Sequence, residues 1–437
     1  MTPVVPFVRR LLAVLAAAAL SVPAVFAAAP AAAPAAAASA AYPLFGGKPL
    51  EWERSGGKVV GVYTPNWQPT ALVDALHGDS VTHVVYAFLH VCGPGQLAED
   101  APRCAGKADY QIASSAIDDS FDAAFARLKA RAPHVKVVAS VGGWGGSDPF
   151  FHLANDAVPR AAFAKSAAHF LRMHPAFDGI DIDWEHPTSN GAANGVALGS
   201  PADGQGYADL MASLRAAMNV LTAENGHKYL LTSAINCERV IVDKVNYRDA
   251  AKSLDLIFMM TYDFYGGWTR TVGNHAAPRA HADDAQDGLD VATRTMLAAG
   301  VPAGKLVAGV AMYGRGFTGV ARPAPGHGFS GETHTGTYPA PEGAADWREL
   351  AARYIDRDGR GRHGYQTVFD PRTLAWNLYN PRSRLFMGYD DPRAVLAKGA
   401  FVRANGLAGV FAWELSQDNG DILNAMNAGV GNRMLQP

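Results

Sequence analysis

Three acidic residues at alternating positions are the part of the sequence best suited to catalysis. Asp181, Asp183 and Glu185 alternate with apolar residues in the stretch FDGIDIDWE, residues 177–185. Successive side chains of a β-strand point to opposite faces, so these three would share one face, about 6.6 Å apart along the strand. Because burial and mutual repulsion oppose the ionisation of all three, we expect at least one raised pKa. Glu185, at the end of the stretch, is the candidate protonated general acid.

The remaining residues of this stretch are predicted to be structural or peripheral. Ile180, Ile182 and Trp184 share the opposite face and should pack against a layer of helices. Asp178 is out of step with the three acids, although Gly179 could let the backbone turn it toward them. In a half-exposed sheet the acids would simply face solvent, but parallel barrel strands are buried on both faces, which disfavours that alternative.

The stretch is one of eight short apolar segments that predict buried strands. Segments with helical periodicity separate them, such as residues 160–173 and 207–221. Alternating helices and continuous apolar strands indicate a parallel sheet covered by helices. Eight such units predict a closed (β/α)8 TIM barrel of the α/β class, and no dinucleotide-binding glycine fingerprint follows a strand. The predicted strands are Lys58–Tyr63, Thr82–Leu89, Lys136–Val141, Gly179–Trp184, Tyr229–Ala234, Leu256–Thr261, Lys305–Ala311 and Ala408–Trp413.

One connection is too long to be a simple loop. Residues 317–390 separate the seventh predicted strand from the last helical segment, and they contain extended runs at 366–369 and 384–389. A structureless loop of this length is uncommon in a compact domain. We therefore predict a small α+β insertion after strand seven. It would form one wall of a cleft at the carboxyl ends of the strands, where barrel enzymes place their active sites.

The first residues are predicted to be processed rather than folded. Two arginines precede an apolar run at residues 11–20, and small residues follow. This layout is typical of a secretory signal peptide, assigned to residues 1–29, and the run is shorter than the roughly 20 residues of a membrane span. The Ala/Pro-rich residues 30–55 would be a linker and lead-in, and residues 56–437 the catalytic barrel. We expect a secreted protein, extracellular or periplasmic, without a stable membrane anchor; a retained anchor is the less favoured alternative.

Composition narrows the classes of function. A net charge of −2, with 49% hydrophobic residues, fits neither a nucleic-acid-binding surface nor a disordered chain. Cys92 and Cys104 bracket a loop rich in Gly and Pro and are expected to form a disulfide after export, and Cys237 to be a buried thiol. The cysteines and histidines show no metal-site spacing, so we expect no metal and no cofactor. A monomer without nucleic-acid partners is the expected state.

The acidic stretch resembles the D-x-x-D-x-D-x-E signature of family 18 glycoside hydrolases, the chitinases. Four shorter matches occur in the family's order, and the resemblance extends from the first predicted strand to the C-terminus. The predicted insertion also resembles that of the deep-cleft bacterial branch of this family. The four matches are SVGG at residues 140–143, MTYD at 260–263, YGRGF at 313–317 and WE at 413–414.

The resemblance implies a reaction and roles for four residues. Members of the family hydrolyse β-1,4 links between N-acetylglucosamine units with retention, and the nucleophile is the substrate's own 2-acetamido oxygen. Glu185 would protonate the leaving oxygen and then activate water. Asp183 would bind the acetamido N–H, Asp181 would share a proton with Asp183, and Tyr262 would donate its hydroxyl to the acetamido oxygen. The implied substrate is chitin or a chitooligosaccharide.

The resemblance also implies a set of sugar-binding residues. Asp263 and Arg315 would bind hydroxyls near the cleaved bond. Trp413 would form the floor under the distorted sugar, and Trp144 and Trp268 would be platforms on the leaving-group side, because sugar C–H faces pack on flat rings. Packing is the alternative role for each tryptophan, and for Met260, which could instead touch the acetyl group. The full set is Trp413, Trp144, Trp268, Asp263, Arg315 and Met260.

Two positions depart from the family pattern. Val62 stands where an aromatic residue is frequent, which argues against a contact from Tyr63 to the catalytic pocket. His186 follows Glu185 where tyrosine is frequent, and it is expected to be structural.

Two other functions stay open at this point. An endo-β-N-acetylglucosaminidase acting on glycans would use the same acids, but the predicted deep groove favours linear chains. A non-hydrolytic chitin-binding lectin of this fold would be expected to lack the acid, whereas Glu185 is present. Endo and exo action are not distinguished by the sequence.

Overall fold

The computed structural model describes residues 43–324 and 327–436. The predicted signal peptide, residues 1–29, and residues 30–42 of the predicted linker lie outside these ranges. The described strands are β1 (Glu51–Glu53), β2 (Val59–Pro65), β3 (His83–Leu89), β4 (Lys136–Gly142), β5 (Gly179–Asp183), β6 (Leu230–Ile235), β7 (Leu256–Met259), β8 (Leu306–Ala311), β9 (Tyr313–Thr318), β10 (Gly336–Thr337), β11 (Ala344–Asp346), β12 (Gln366–Asp370), β13 (Ala375–Asn380), β14 (Leu385–Tyr389), β15 (Gly409–Trp413) and β16 (Arg433–Gln436).

The α-helices mostly follow the barrel strands and cover them. The longest, α6 (Asp203–Asn225), has 23 residues and is followed by Gly226, whose φ of +75° is the left-handed conformation that glycine adopts without strain. The described helices are α1 (Ala71–Asp74), α2 (Ala101–Cys104), α3 (Ala116–Arg131), α4 (Asp148–Leu153), α5 (Ala157–Met173), α6 (Asp203–Asn225), α7 (Arg239–Val242), α8 (Tyr247–Ser253), α9 (Leu289–Ala298), α10 (Trp347–Arg353), α11 (Pro392–Ala404) and α12 (Asp421–Val430).

Eight parallel strands close into a barrel in the order β15-β2-β3-β4-β5-β6-β7-β8. The prediction of a (β/α)8 TIM barrel is confirmed, and none of the eight strands differs from its predicted bounds by more than two residues at either end. The register aligns Asp181 of β5 with Ser140 of β4 on one side and with Thr232 of β6 on the other. This alignment brings polar side chains of three neighbouring strands to one level inside the barrel.

The barrel strands have two apolar faces because they are buried on both sides. Outward residues such as Val60 and Ile182 pack with the helices in one large core. Inward residues such as Val85, Phe258 and Phe411 form a separate cluster within the barrel. The acids of β5 therefore interrupt an interior that is otherwise packed with side chains.

The segment after β8 contains a second sheet. Its order is β10-β9-β14-β13-β12, and β11 pairs with β9. The sheet begins at Tyr313, four residues before the predicted start of the insertion, because β9 pairs with β14 and β11 instead of extending the barrel. Helix α10 follows β11 directly, so the segment combines strands with a helix.

A disulfide joins Cys92 to Cys104 in the connection between β3 and α3, as expected, and Cys237 is a buried thiol. Among the described residues, no helix is both long enough and apolar enough to cross a bilayer.

Candidate active site

Asp181 lies at the base of the acidic column, fully buried inside the barrel. Its Oδ2 accepts hydrogen bonds from Tyr63 OH at 3.0 Å and Ser140 Oγ at 2.7 Å, and its Oδ1 accepts from Thr232 Oγ1 at 2.6 Å. Burial raises the pKa of Asp181, and the three hydroxyl donors act in the opposite direction. Three donors converging on one carboxylate fix its orientation.

Asp183 lies one step higher on the same face. The residue is 3% exposed, and its Oδ1 is buried without a hydrogen bond from any described residue. Burial and then the charges of Glu185 and Asp181 raise its pKa well above the ordinary value. An unpaired buried carboxyl oxygen is costly unless it receives a partner in the working state of the protein. Asp183 is therefore prepared to accept a hydrogen bond from a bound molecule.

Glu185 follows the end of β5 and opens into the cleft. Its side chain is 16% exposed. Burial, followed by the negative charge of Asp263, raises its pKa to about 8, while a backbone hydrogen bond from Trp144 opposes the shift. Ser147 Oγ accepts the Glu185 backbone N–H at 2.9 Å and donates to the carbonyl of Asp183, which fixes this turn of the chain. A carboxyl that is protonated near neutral pH can act as a general acid.

Asp178 does not join the column, contrary to the possibility that Gly179 would turn it inward. Its carboxylate accepts two hydrogen bonds of 2.9 Å from Lys129 Nζ and one from the Val137 backbone N–H. Asp178 precedes β5 and so lies at the opposite end of the barrel from Glu185. By contrast, Trp184 faces the helices as predicted, against Phe150 and Phe151.

Tyr262 and Asp263 follow β7 and face the column. Burial, together with the charges of Asp183 and Glu185, raises the pKa of Tyr262 well above its ordinary value, so its hydroxyl is a hydrogen-bond donor. Asp263 forms a two-point ion pair with Arg315, with Nε to Oδ1 at 2.6 Å and the second nitrogen to Oδ2 at 2.7 Å. Burial alone would raise the pKa of Asp263, but its hydrogen bonds with Arg315 hold it below the ordinary value. The site thus contains an ionised acid, Asp263, beside Glu185, an acid whose pKa is raised.

His275 is a site residue that the sequence reasoning missed. Asp263 has a left-handed backbone, with φ of +60°, which is strained for a residue with a side chain. The buried His275 ring accepts the Asp263 backbone N–H at Nδ1 (3.3 Å) and bonds the Tyr313 carbonyl through Nε2 (3.1 Å). His275 lies in an irregular loop, so no periodic pattern could have indicated it.

Tyr63 corrects an expectation from the sequence. The departure at Val62 argued against a Tyr63 contact, yet the Tyr63 hydroxyl donates to Asp181 and the residue lines the cleft. Strand parity was the signal available, because Gly61, Tyr63 and Pro65 share one face of β2 and that face points inward.

Aromatic rings form the floor and rims of the cleft. Trp413, at the end of β15, stacks on Phe88 with ring centroids 5.6 Å apart and lies 5.5 Å from the Tyr63 ring. Trp67, which the sequence reasoning also missed, lies 6.3 Å from Trp413 and is 60% exposed. Its position just after β2 at the carboxyl end of the barrel was the available signal.

Trp144 and Trp268 stand at other edges of the same cleft. They are 61% and 62% exposed, respectively, and so are not packing residues of the core. The guanidinium of Arg315 lies 4.8 Å from the Trp268 ring centroid, which holds that ring beside the Asp263 ion pair. Met260 also lines the cleft, partly buried against the inner cluster.

All ten residues predicted to act in the site, except the buried Asp181, line one cavity of about 1500 Å³. The insertion contributes residues 337–344 to the wall, and the connection after β3 contributes others. Within the described part of the chain, no group of three or more histidine, cysteine or acidic residues is arranged to hold a metal ion.

The sequence profile of glycosyl hydrolases family 18 matches residues 59–418, which include the barrel, the insertion and the whole acidic column. The chain belongs to glycosyl hydrolase family 18. The matched range begins with β2 and ends beyond β15, so family membership applies to the entire barrel.

Several chitinases are similar to this chain over most of its length. Chitinase A of Pseudoalteromonas piscicida is 34% identical over 434 residues, which cover 86% of this chain and 52% of that protein. A probable endochitinase of Orgyia pseudotsugata multicapsid polyhedrosis virus is also 34% identical, over 86% of this chain and 72% of its own. The chain thus spans about half the length of the Pseudoalteromonas relative.

Solved family 18 structures share the fold. A family 18 N-acetylglucosaminidase from Paenibacillus barengoltzii superposes with a TM-score of 0.69 at 26% identity, covering 85% of this chain and 99% of its own. A family 18 chitinase from Cycas revoluta in complex with allosamidin gives 0.68 at 25% identity, with coverage of 85% and 100%.

Proposed function

We propose that this chain hydrolyses β-1,4-linked N-acetylglucosamine chains, chitin and chitooligosaccharides, with retention at the anomeric carbon. The observation that carries the proposal is the pairing of Glu185, whose pKa is raised to about 8, with Asp183, whose Oδ1 is buried and unpaired among the described residues. One group can give a proton to a leaving oxygen, and the other can receive an N–H from the same substrate. The chitinases similar to this chain agree with that substrate.

The first step is formation of a cyclic oxazolinium ion. Glu185 gives its proton to the glycosidic oxygen as the C–O bond breaks, and the acetamido oxygen bonds to the anomeric carbon from the opposite face. Asp183 accepts the acetamido N–H at Oδ1, which holds the amide in line and balances the positive charge of the ring. Tyr262 donates its hydroxyl to the acetamido oxygen, which its raised pKa permits.

The second step is hydrolysis of that ion. Glu185, now ionised, removes a proton from water as the water oxygen attacks the anomeric carbon and the acetamido oxygen leaves. Two displacements on opposite faces restore the starting configuration. Asp181 supports Asp183 from beneath and shares its proton during the cycle, while three hydroxyl donors keep Asp181 in place.

The aromatic rings place the sugars for these steps. Trp413 forms a flat floor beside the column, and Trp144 and Trp268 are exposed platforms on the leaving-group side. Asp263 and Arg315 bind hydroxyls near the cleaved bond, and Met260 contacts the acetyl group.

Export and a monomeric state belong to the same proposal. Residues 1–29 act as a signal peptide and residues 30–55 as a lead-in, and the disulfide between Cys92 and Cys104 is stable in an oxidising compartment. Size-exclusion chromatography of the mature chain at several concentrations tests the monomer.

The test is product analysis on N-acetylglucosamine oligomers with anomer-resolved detection. We expect β-anomers as the first products, before mutarotation. Initial α-anomers would contradict the substrate-assisted mechanism, and binding of oligomers without any product would favour a lectin. Cleavage of glycoprotein glycans in preference to linear oligomers would favour the endo-β-N-acetylglucosaminidase alternative.

A further inference from the structure

The connection between β3 and α3 brings three polar side chains to the cleft that the mechanism above does not use. His90 Nδ1 lies 2.7 Å from Asp100 Oδ2, and Arg103 lies 3.7 Å from Asp100 Oδ1. All three residues line the cleft. Asp100 is 1% exposed, whereas the side chains of His90 and Arg103 are 19% and 32% exposed. A buried acid thus holds two polar groups that are open to the cavity.

The arrangement orients His90. The Asp100 carboxylate accepts a hydrogen bond from Nδ1, so the proton of the neutral ring lies on that nitrogen. Nε2 is therefore left as a hydrogen-bond acceptor. No described residue makes a hydrogen bond to Nε2, although the atom is not enclosed. The Arg103 guanidinium, near the other oxygen of Asp100, supplies N–H donors to the cleft. One acceptor and several donors match the hydroxyl and acetamido groups of a sugar.

The connection is braced rather than loose. The disulfide from Cys92 to Cys104 closes the loop that contains Asp100 and Arg103, and His90 lies two residues before Cys92. His90 packs against the loop that carries Trp144, since a Cβ at Gly146 would lie only 3.0 Å from His90 Cδ2. A fixed polar wall beside an aromatic platform is the usual composition of a site that binds a sugar ring.

We propose that His90, Asp100 and Arg103 form an additional sugar subsite, which binds one N-acetylglucosamine unit of a long chain on the side of the cleft across from the insertion. In the barrel order, β3 and β4 lie three and four positions from β8, after which the insertion begins, so the two walls face each other. His90 Nε2 accepts a hydroxyl or amide proton, Arg103 donates to an oxygen, and Asp100 positions both. This proposal rests on the proposed hydrolase function.

The test compares His90→Ala with the unaltered chain on oligomers from the disaccharide to the hexasaccharide. We expect kcat/KM to be unchanged on the shortest chains that are cleaved, and to fall about fivefold or more from a threshold length upward, as KM rises. His169→Ala, which removes an exposed histidine of α5, is the matched control and should leave the whole series unchanged. An equal loss at every length, or no loss at any length, would overturn the subsite.

A second variant keeps the test decisive if His90→Ala does not fold. Arg103→Ala removes a partly exposed side chain and should show the same threshold length with a smaller effect. Calorimetric binding of the hexasaccharide in a Glu185→Gln background should weaken on adding either substitution, without any turnover. If the unaltered chain cleaves no oligomer but binds them in a length-dependent way that His90→Ala abolishes, the hydrolase proposal fails while the subsite stands.

Discussion

At the scale of single residues, the environments of the acids in the cleft shift their pKa values in opposite directions. Burial and nearby negative charges raise the pKa of Asp183 and of Glu185, whereas Arg315 holds the pKa of Asp263 down. When two titratable groups in one cleft have pKa values shifted in opposite directions, the group with the raised pKa is the candidate acid and the group with the lowered pKa stays charged. Burial and the charge of Asp263 favour the protonated form of Glu185, which agrees with its proposed role as the acid.

Replacement of the acid gives the most direct prediction at this scale. Glu185→Gln should lower kcat on a chitooligosaccharide by roughly 10²–10⁴-fold, the usual contribution of a general acid and base. Affinity should change little because the amide has nearly the same shape. Steady-state kinetics and calorimetric binding measure the two quantities.

The matched control for that variant is Glu224→Gln, in which an exposed glutamate of α6, ion-paired with Arg172, loses its charge without any change in the cleft. It should keep full activity. Turnover by Glu185→Gln at the rate of the unaltered chain would remove Glu185 from its assigned role.

The pH dependence follows from the same residue. Since Glu185 must be protonated to donate, kcat/KM should fall as the pH rises through about 8. The charge of Asp263 contributes to this raised pKa, so Asp263→Asn should move the alkaline limb to lower pH as well as weaken activity. A full pH–rate profile of both proteins measures the shift, and an unmoved limb would mean that another group controls it.

At the scale of secondary-structure elements, the two faces of β5 have different surroundings. Asp181 and Asp183 point into the barrel, and Trp184 packs outward at 1% exposure. All five residues of β5 are buried, and of the inward ones only Asp183 lines the cleft.

Trp184→Ala should therefore act through stability. Loss of a buried tryptophan of this kind typically costs about 3–5 kcal/mol of unfolding free energy, because a cavity remains. Denaturant unfolding measures that cost, and the fraction that is still folded should keep its specific activity.

Trp268→Ala is the comparison for Trp184→Ala, because the Trp268 ring is 62% exposed in the cleft and is not packed against the helices. It should change the unfolding free energy by no more than about 0.5 kcal/mol and should instead raise KM. A large loss of stability in Trp268→Ala, together with a raised KM in Trp184→Ala, would mean that the structural role has been assigned to the wrong tryptophan.

At the scale of the whole molecule, the cleft depends on segments attached to different parts of the barrel. The insertion forms one wall and the disulfide-braced connection after β3 the other, and the rings of Trp67, Phe88 and Trp413 lie between. Closure of the barrel fixes the relative positions of all these attachments.

Removal of the disulfide by the double change Cys92→Ser and Cys104→Ser should loosen one wall while leaving the barrel intact. A loop whose ends are 12 residues apart gives a stabilisation of about 3 kcal/mol in the chain-entropy account, so the melting temperature should fall. Activity on the longest oligomers should fall more than activity on the shortest. Calorimetry and the oligomer series measure both effects, and reducing agent should not change the double variant further because its remaining cysteine, Cys237, is already a free thiol. An unaltered melting temperature would contradict the prediction.

The sequence by itself determined the barrel and the acidic column. Continuous apolar strands separated by helical periodicity gave the eight strands, and strand parity placed Asp181, Asp183 and Glu185 on one face and Trp184 on the other. These are local properties, since alternation along a strand is set by the backbone of that strand. The fold class was confirmed, while the roles of the individual site residues stay predictions.

The tertiary structure alone decided which residues from distant segments meet the column. Tyr63 donates to Asp181 across 118 positions of sequence, and Tyr313 and Arg315 hold Asp263 from 50 and 52 positions away. Asp178 shows the converse, because a residue next to the column in sequence lies at the other end of the barrel. Such contacts depend on how the strands align when the barrel closes, and the pattern within one strand contains no information about its partners' register.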